Sequence, residues 1–388
     1  LENEKYIVTL NDNGDIEQIF DKNLGRELLS GPIRLALHDY DGAGTYPAWE
    51  LTYKEVSAAP REFAAKPEFK ILENGPARVA VEVVRRAADS TFKQVISLDT
   101  QGDRVDVYNE VDWRSYRSLL KVEFPFTAAN KKAGYDLGLG VIERGNSRPS
   151  LYEVPAVNWA DITDTGGEFG VSVFSDSRTG WDKPADNTLR LTAVHSPRGA
   201  YRDAQHLLDF GLNRFSFAVY SHPGSRKNGV QRAALEFVQP VNAFKVPVAA
   251  GVLGAEYSLC GLSDENVIIR AIKKAQNTDE IIVRLNEGEG ENRKGVRLRF
   301  AGGISSAREV WATEEPRSEA EVEDGELVFD IKAFEPKTFA LTVKDAEEKD
   351  KPEVCRPLTD LPFNLNAVTA NGEALKDCLP GNSALPEE

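Results

Sequence analysis

Hydrophobic and polar residues alternate with a period of two through most of this chain. The opening stretch, KYIVTLNDNGDIEQIFDKNLGRELL, sets Tyr6, Val8 and Leu10 on one side of a strand, turns at Asn13-Gly14, and resumes with Ile16, Ile19 and Phe20. Such alternation marks a strand with one buried face. An Asn-Gly pair between two such runs signals a hairpin, whose type I′ form needs positive φ at both turn residues. The pattern continues in PIRLALHDYD, FKILENG, ARVAVEVVRRAA, TFKQVISLDTQGDRVDVYNEVDW and LLKVEFPF, with turns at Gly75-Pro76 and Gln101-Gly102-Asp103. No long amphipathic helix with capping residues interrupts it, which counts against a doubly wound or barrel fold. The array predicts an all-β chain whose first part is a large antiparallel β-sandwich.

The stretch 135–181 stands out within this array. Its run FGVSVFS, 169–175, reads as a half-buried strand, and the flanking polar, Gly- and Pro-bearing segments carry Tyr152, Trp159, Asp161 and Asp182 with no obvious core to fill. Loops held on a rigid sheet are where binding groups tend to sit. After Ser225 the composition shifts, and RKNGVQRAALEFVQPVNAFKV reads either as a strand pair or as a crossing segment with a short helix at 231–237. Strands at 267–272, 280–285 and 296–300, with REVWATEEP, GELVFDIKAF and EPKTFALTV, predict a second, smaller β-sandwich module. From Lys344 the chain turns charged and then rich in Pro, Asn and Gly, a composition that builds no core of its own. The expected organisation is a large sandwich over 1–230, a small one over 231–345, and a linker or start of an accessory domain over 346–388.

Several of these runs resemble glycoside hydrolase family 38, the α-mannosidases of the cytosolic and bacterial branch. The carriers are YEVPAVNWADITD, FGVSVFSDSRTGW, LRLTAVHSP and FSFAVYSHPGS, followed by IIVRLNEGEG, VRLRF and FEPKTFALTV. One motif departs from the family wording: His222 precedes Pro223, the reverse of the usual order. The likeness spans about residues 1–345. It implies a galactose-mutarotase-like supersandwich followed by a smaller module, that is, the C-terminal β-portion of a retaining mannosidase. The catalytic domain, with its zinc and nucleophilic aspartate, would then lie upstream of Leu1. The implied partners are that N-terminal domain and a mannose-containing glycan, in a cytoplasmic setting, with self-association left open.

Composition narrows the remaining choices. At 388 residues the chain exceeds one ordinary core. Its net charge of -15 disfavours nucleic acid, whose phosphates need clustered Lys and Arg, and no apolar run reaches the roughly 18 residues of a membrane span. Three cysteines at unrelated spacings suit neither zinc nor a redox pair and fit a reducing compartment. The four histidines are isolated, and the acidic Gly288–Gly290 stretch is wrong for a phosphate cradle, so no cofactor is expected in this chain. A retaining glycosidase needs two carboxyl groups about 5–5.5 Å apart. No motif here matches that pair, so no catalytic residue is expected.

What remains is sugar contact, which combines an aromatic face with polar handles. Tyr46, Trp49, Trp159, Asp161, Arg178, Trp181 and Asp182 have that chemistry in loop-like positions. Packing wedges, in the core or against another domain, are the competing use of Trp49 and Trp159. A stand-alone carbohydrate-binding or scaffold protein is the alternative function. A lyase or mutarotase-like enzyme using His38 and Asp39 is a third.

Overall fold

The computed structural model describes residues 1–40, 49, 51–197, 208–246 and 256–345. Tyr46, His206 and the expected linker 346–388 lie outside the described residues. The chain forms two compact units, Leu1–Pro240 and Val241–Glu388, and the regular structure of the described residues is almost entirely strand.

Two antiparallel sheets of the first unit face each other. Among the described residues one has nine strands, in the order Val141–Gly145, Lys132–Asp136, Trp159–Thr163, Phe169–Ser175, Gly211–Pro223, Arg104–Trp113, Ser90–Asp99, Arg78–Ala87 and Ala65–Asn74. The other has six: Val154–Pro155, Gly180–Ala185, Thr188–Ser196, Ser118–Pro125, Arg34–Asp39 and Glu62–Phe63. Their inward positions interleave in one core, with Leu35, Leu37, Leu120, Val122 and Leu191 from the smaller sheet against Phe92, Ile96, Val107, Val171 and Phe217 from the larger. This is the sandwich that alternation demands, because each strand offers every second side chain to the opposing sheet.

The opening hairpin, Tyr6–Leu10 with Ile16–Asp21, adds Tyr6, Val8, Ile16 and Ile19 to the same core. Its turn is not of type I′, since Gly14 has φ +75° while Asn13 is not left-handed. Instead the Asn11 side chain accepts from the N–H groups of Asn13 (2.9 Å) and Asp15 (3.0 Å), closing a longer loop that needs a left-handed residue once.

The segment left open between strands and a helix forms α2, Val230–Val238. It lies on the outward face of the nine-stranded sheet, where Val230, Ala233 and Ala234 meet Trp159, Phe174, Ala218 and Tyr220. With Phe174 under α2, Ser172 against Asp161 and Gly170 against His222, Phe169–Ser175 is buried on both faces, not half-buried as its alternation predicts. A four-residue helix, α1 (Tyr53–Val56), is capped by the Thr52 hydroxyl and lies near the outward face of the six-stranded sheet.

Among the described residues of the second unit, a four-stranded and a five-stranded antiparallel sheet enclose Val283, Leu285, Val296, Leu298, Leu327, Phe339 and Leu341.

Candidate functional site

Two buried polar centres occupy the outward faces of the first unit. Along Ser118–Pro125, Leu120, Val122 and Phe124 point into the core, which turns Lys121 and Glu123 outward. Lys121 is nevertheless fully buried. Its Nζ donates to Asp182 Oδ1 (2.7 Å), Thr192 Oγ1 (2.8 Å) and Glu153 Oε2 (2.9 Å). Arg190 donates from Nε to Asp182 Oδ2 (2.9 Å) and from a terminal nitrogen to the carbonyl of Val56 in α1 (2.9 Å). Burial by itself would lower the Lys121 pKa, but the Asp182 and Glu153 carboxylates outweigh it and hold the ammonium above its ordinary value. His38 lies close enough to feel these charges. Burial first, then Arg190 and Lys121, push it down to about 4, against weaker pulls from Asp182 and the backbone of Ala58. Both Asp182 oxygens are taken by cations, so this centre is a saturated ion network that ties three strands to the α1 segment.

The second centre lies on the nine-stranded sheet. Trp159, Asp161 and Thr163 are successive outward positions, in register with Phe174, Ser172 and Gly170. Trp159, under α2, donates from Nε1 to Gln231 Oε1 (3.0 Å). Asp161 accepts at Oδ1 from Ser172 Oγ (2.7 Å) and at Oδ2 from Thr163 Oγ1 (2.9 Å). His222 Nε2 is 2.9 Å from Asp161 Oδ1, and a carboxylate only accepts, so that nitrogen carries the hydrogen. Gly170 makes room for the imidazole, since a Cβ there would stand 2.4 Å from the ring. Ser172 and His222 both bond Asp161 and not each other, so the trio lacks the nucleophile-to-base contact of hydroxyl catalysis. A cavity of about 290 Å³ opens in front of Asp161, walled by Asn130, Lys132, Gly134, Glu143, Thr163 and Arg226.

Of the seven candidate sugar contacts Tyr46 lies outside the described residues, and the structure does not gather the other six into one site. Trp159 and Asp161 share the outward face of the larger sheet, and Asp161, 2 % exposed, lines the cavity. Trp181 and Asp182 belong to the smaller sheet, Trp181 in the core and Asp182 in the ion network. All four sit in strands, not loops, because polar residues are admitted to these strands where charge partners or a covering helix await them. Arg178 is half-buried with its guanidinium over the Phe215 ring (5.1 Å). Trp49 is 77 % exposed. Sequence reasoning missed Lys121, Glu153, Arg190, Ser172 and His222. The one legible trace was a lysine inside the apolar run LLKVEF.

In the second unit the Glu287 carboxylate accepts from the N–H groups of Gly290 (2.7 Å), Glu289 (2.9 Å), Phe334 (3.0 Å) and Glu291 (3.1 Å). The chain's own carboxylate thus fills the place an external anion would take. Among the described residues no group of three or more His, Cys, Asp or Glu side chains gathers to hold a metal, and no helix is long and apolar enough to cross a membrane.

Comparison with known proteins places these features in context. The model for the glycosyl hydrolases family 38 C-terminal domain matches residues 1–199, and that for the family 38 C-terminal beta sandwich domain matches residues 266–339. α-Mannosidase G of Dictyostelium discoideum is 23 % identical over 305 residues, 75 % of this chain and 27 % of that protein. The α-mannosidase of Saccharomyces cerevisiae is 26 % identical over 298 residues, 71 % of this chain and 26 % of its own length. The chain therefore spans about a quarter of these curated relatives. In fold it is similar to a family 38 protein from Enterococcus faecalis, with a TM-score of 0.72 at 15 % identity over 88 % of this chain and 44 % of that one.

Proposed function

We propose, from the premise that this chain belongs to glycosyl hydrolase family 38 and is the C-terminal region of an α-mannosidase, that it is the non-catalytic support of that enzyme. It packs on an N-terminal catalytic region and lends a wall to the active site in which α-mannosides of glycans are hydrolysed. Under this proposal the zinc implied by the family resemblance belongs to that catalytic region. A cytoplasmic setting is part of the same proposal.

The observation that carries this reading is an apolar groove of about 630 Å³ lined by Leu1, Ile7, Leu10, Phe69, Ile71 and Val81. Phe69 and Ile71 project from the Ala65–Asn74 strand, the last of the nine-stranded sheet, and are 51 % and 70 % exposed. Adjoining apolar side chains left in water mark a surface meant for another protein surface. Relatives about four times longer than the matched stretch supply a candidate to cover it. The saturation of Asp182 by Lys121 and Arg190 also favours a supporting role over a catalytic one.

The test has two arms. The isolated chain is expected to leave 4-nitrophenyl α-mannoside intact with zinc present. The region encoded upstream of Leu1, expressed separately, is expected to bind this chain and to lose it on Ile71→Glu or Phe69→Glu. Turnover by the isolated chain, or an upstream region indifferent to it, overturns the reading.

A further inference from the structure

The cavity in front of Asp161 owes its space to a glycine. Gly134 stands opposite Asp161 in the pairing of Lys132–Asp136 with Trp159–Thr163, so the two residues share the outward face. A Cβ at Gly134 would find Arg226 Cδ at 3.4 Å, Trp159 Cζ3 at 3.5 Å and Val141 Cγ1 at 3.8 Å, which is ordinary contact. The backbone there is not left-handed. Neither strain nor crowding requires glycine at this position, and glycine weakens a strand interior. Such a glycine marks a place where something approaches the sheet closely.

The space it leaves is built. Asp161 forms the floor, its carboxylate oriented by Ser172, Thr163 and His222. Asn130 is held on three sides: its Nδ2 donates to Thr163 O (3.0 Å), its Oδ1 accepts from Lys132 N–H (3.0 Å), and its carbonyl accepts from the buried Lys183 Nζ (2.7 Å). Lys132 and Glu143 pair at 3.2 Å on one wall, and Arg226 forms another. A volume of about 290 Å³ is at the small end of ligand pockets. Carboxylates and cations line it together, which suits neither a bare anion nor a bare cation. It suits a neutral ring whose adjacent hydroxyls each donate to a carboxylate and accept from an N–H.

We propose that this cavity binds a single saccharide residue, with Asp161 accepting from its hydroxyls and Lys132 and Arg226 donating to them. That the residue is a mannoside rests on the proposed function; the site itself does not. The test is saturation-transfer NMR on the 388-residue chain with methyl α-mannopyranoside, methyl α-glucopyranoside and inorganic phosphate. Saturable glycoside binding is expected. Gly134→Leu, which fills the cavity without straining the backbone, should weaken that binding by at least roughly tenfold with the melting temperature unchanged or raised. Asp161→Asn should weaken it as well. Binding of the glucoside alone would support the site and count against the mannoside. The proposal is overturned if no glycoside saturates below about 50 mM, if only phosphate binds, or if Gly134→Leu leaves glycoside binding intact. None of these results bears on the docking of the upstream region, which fails or holds by its own assay.

Discussion

Replacing Lys121 by methionine isolates the role of the ion network. The methionine side chain matches the lysine stem in volume, so little cavity opens, and the loss is electrostatic. Glu153, partly exposed, then keeps only its hydrogen bond from Thr192, and the fully buried Asp182 keeps only Arg190. Removing one partner of a buried ion pair costs about 3–5 kcal/mol, because the remaining charge stays desolvated and unpaired. At about 2–4 °C per kcal/mol for a unit of this size, the melting transition of Leu1–Pro240 should fall by roughly 6–20 °C in scanning calorimetry. The pH dependence carries a second check. The folded pKa of Lys121 is raised above its unfolded value, so its contribution is fully present below about 10.5 and is lost as pH rises through the folded value. The gap between wild type and Lys121→Met should therefore stay constant near neutrality and shrink only in strong alkali. Adding Glu153→Gln to Lys121→Met should recover part of the loss, since Glu153 then no longer stands as an unpaired carboxylate while Asp182 keeps its pairing with Arg190. A cost below about 1 kcal/mol for Lys121→Met would refute the reasoning, because the network would then be no more than a surface ion pair.

Gly170→Ala should destabilise the first unit by about 2–4 kcal/mol in urea unfolding, since the new Cβ displaces His222 from Asp161. In a double-mutant cycle with His222→Ala the two losses should fall short of additivity, and strict additivity would show that the clash lies elsewhere. His38, held near pH 4 against an ordinary 6.5, binds fewer protons folded than unfolded between those values, so stability falls as pH drops through that window. His38→Leu should flatten that fall in urea midpoints taken at pH 7, 6 and 5, and parallel curves would count against it. Glu287→Gln should cost the second unit about 1–3 kcal/mol, because a neutral amide offers one acceptor where the carboxylate takes four N–H groups. An unchanged second transition would remove that role.

The alternation in ARVAVEVVRRAA, TFKQVISLDT and LLKVEFPF determined the fold class, since a period of two admits only strands with one face inward, and it fixed which residues share a face. It could not say what covers the other face. That choice separates a binding loop from a buried bond, and it belongs to tertiary structure. Trp159 resembled an exposed aromatic until α2, about seventy residues later, was laid over it. Asp182 resembled a sugar ligand until Lys121 and Arg190 closed on it from two neighbouring strands. A buried charge is tolerated only where its partners converge in space, and partners drawn from positions 121, 153, 182 and 190 leave no periodic trace along the chain.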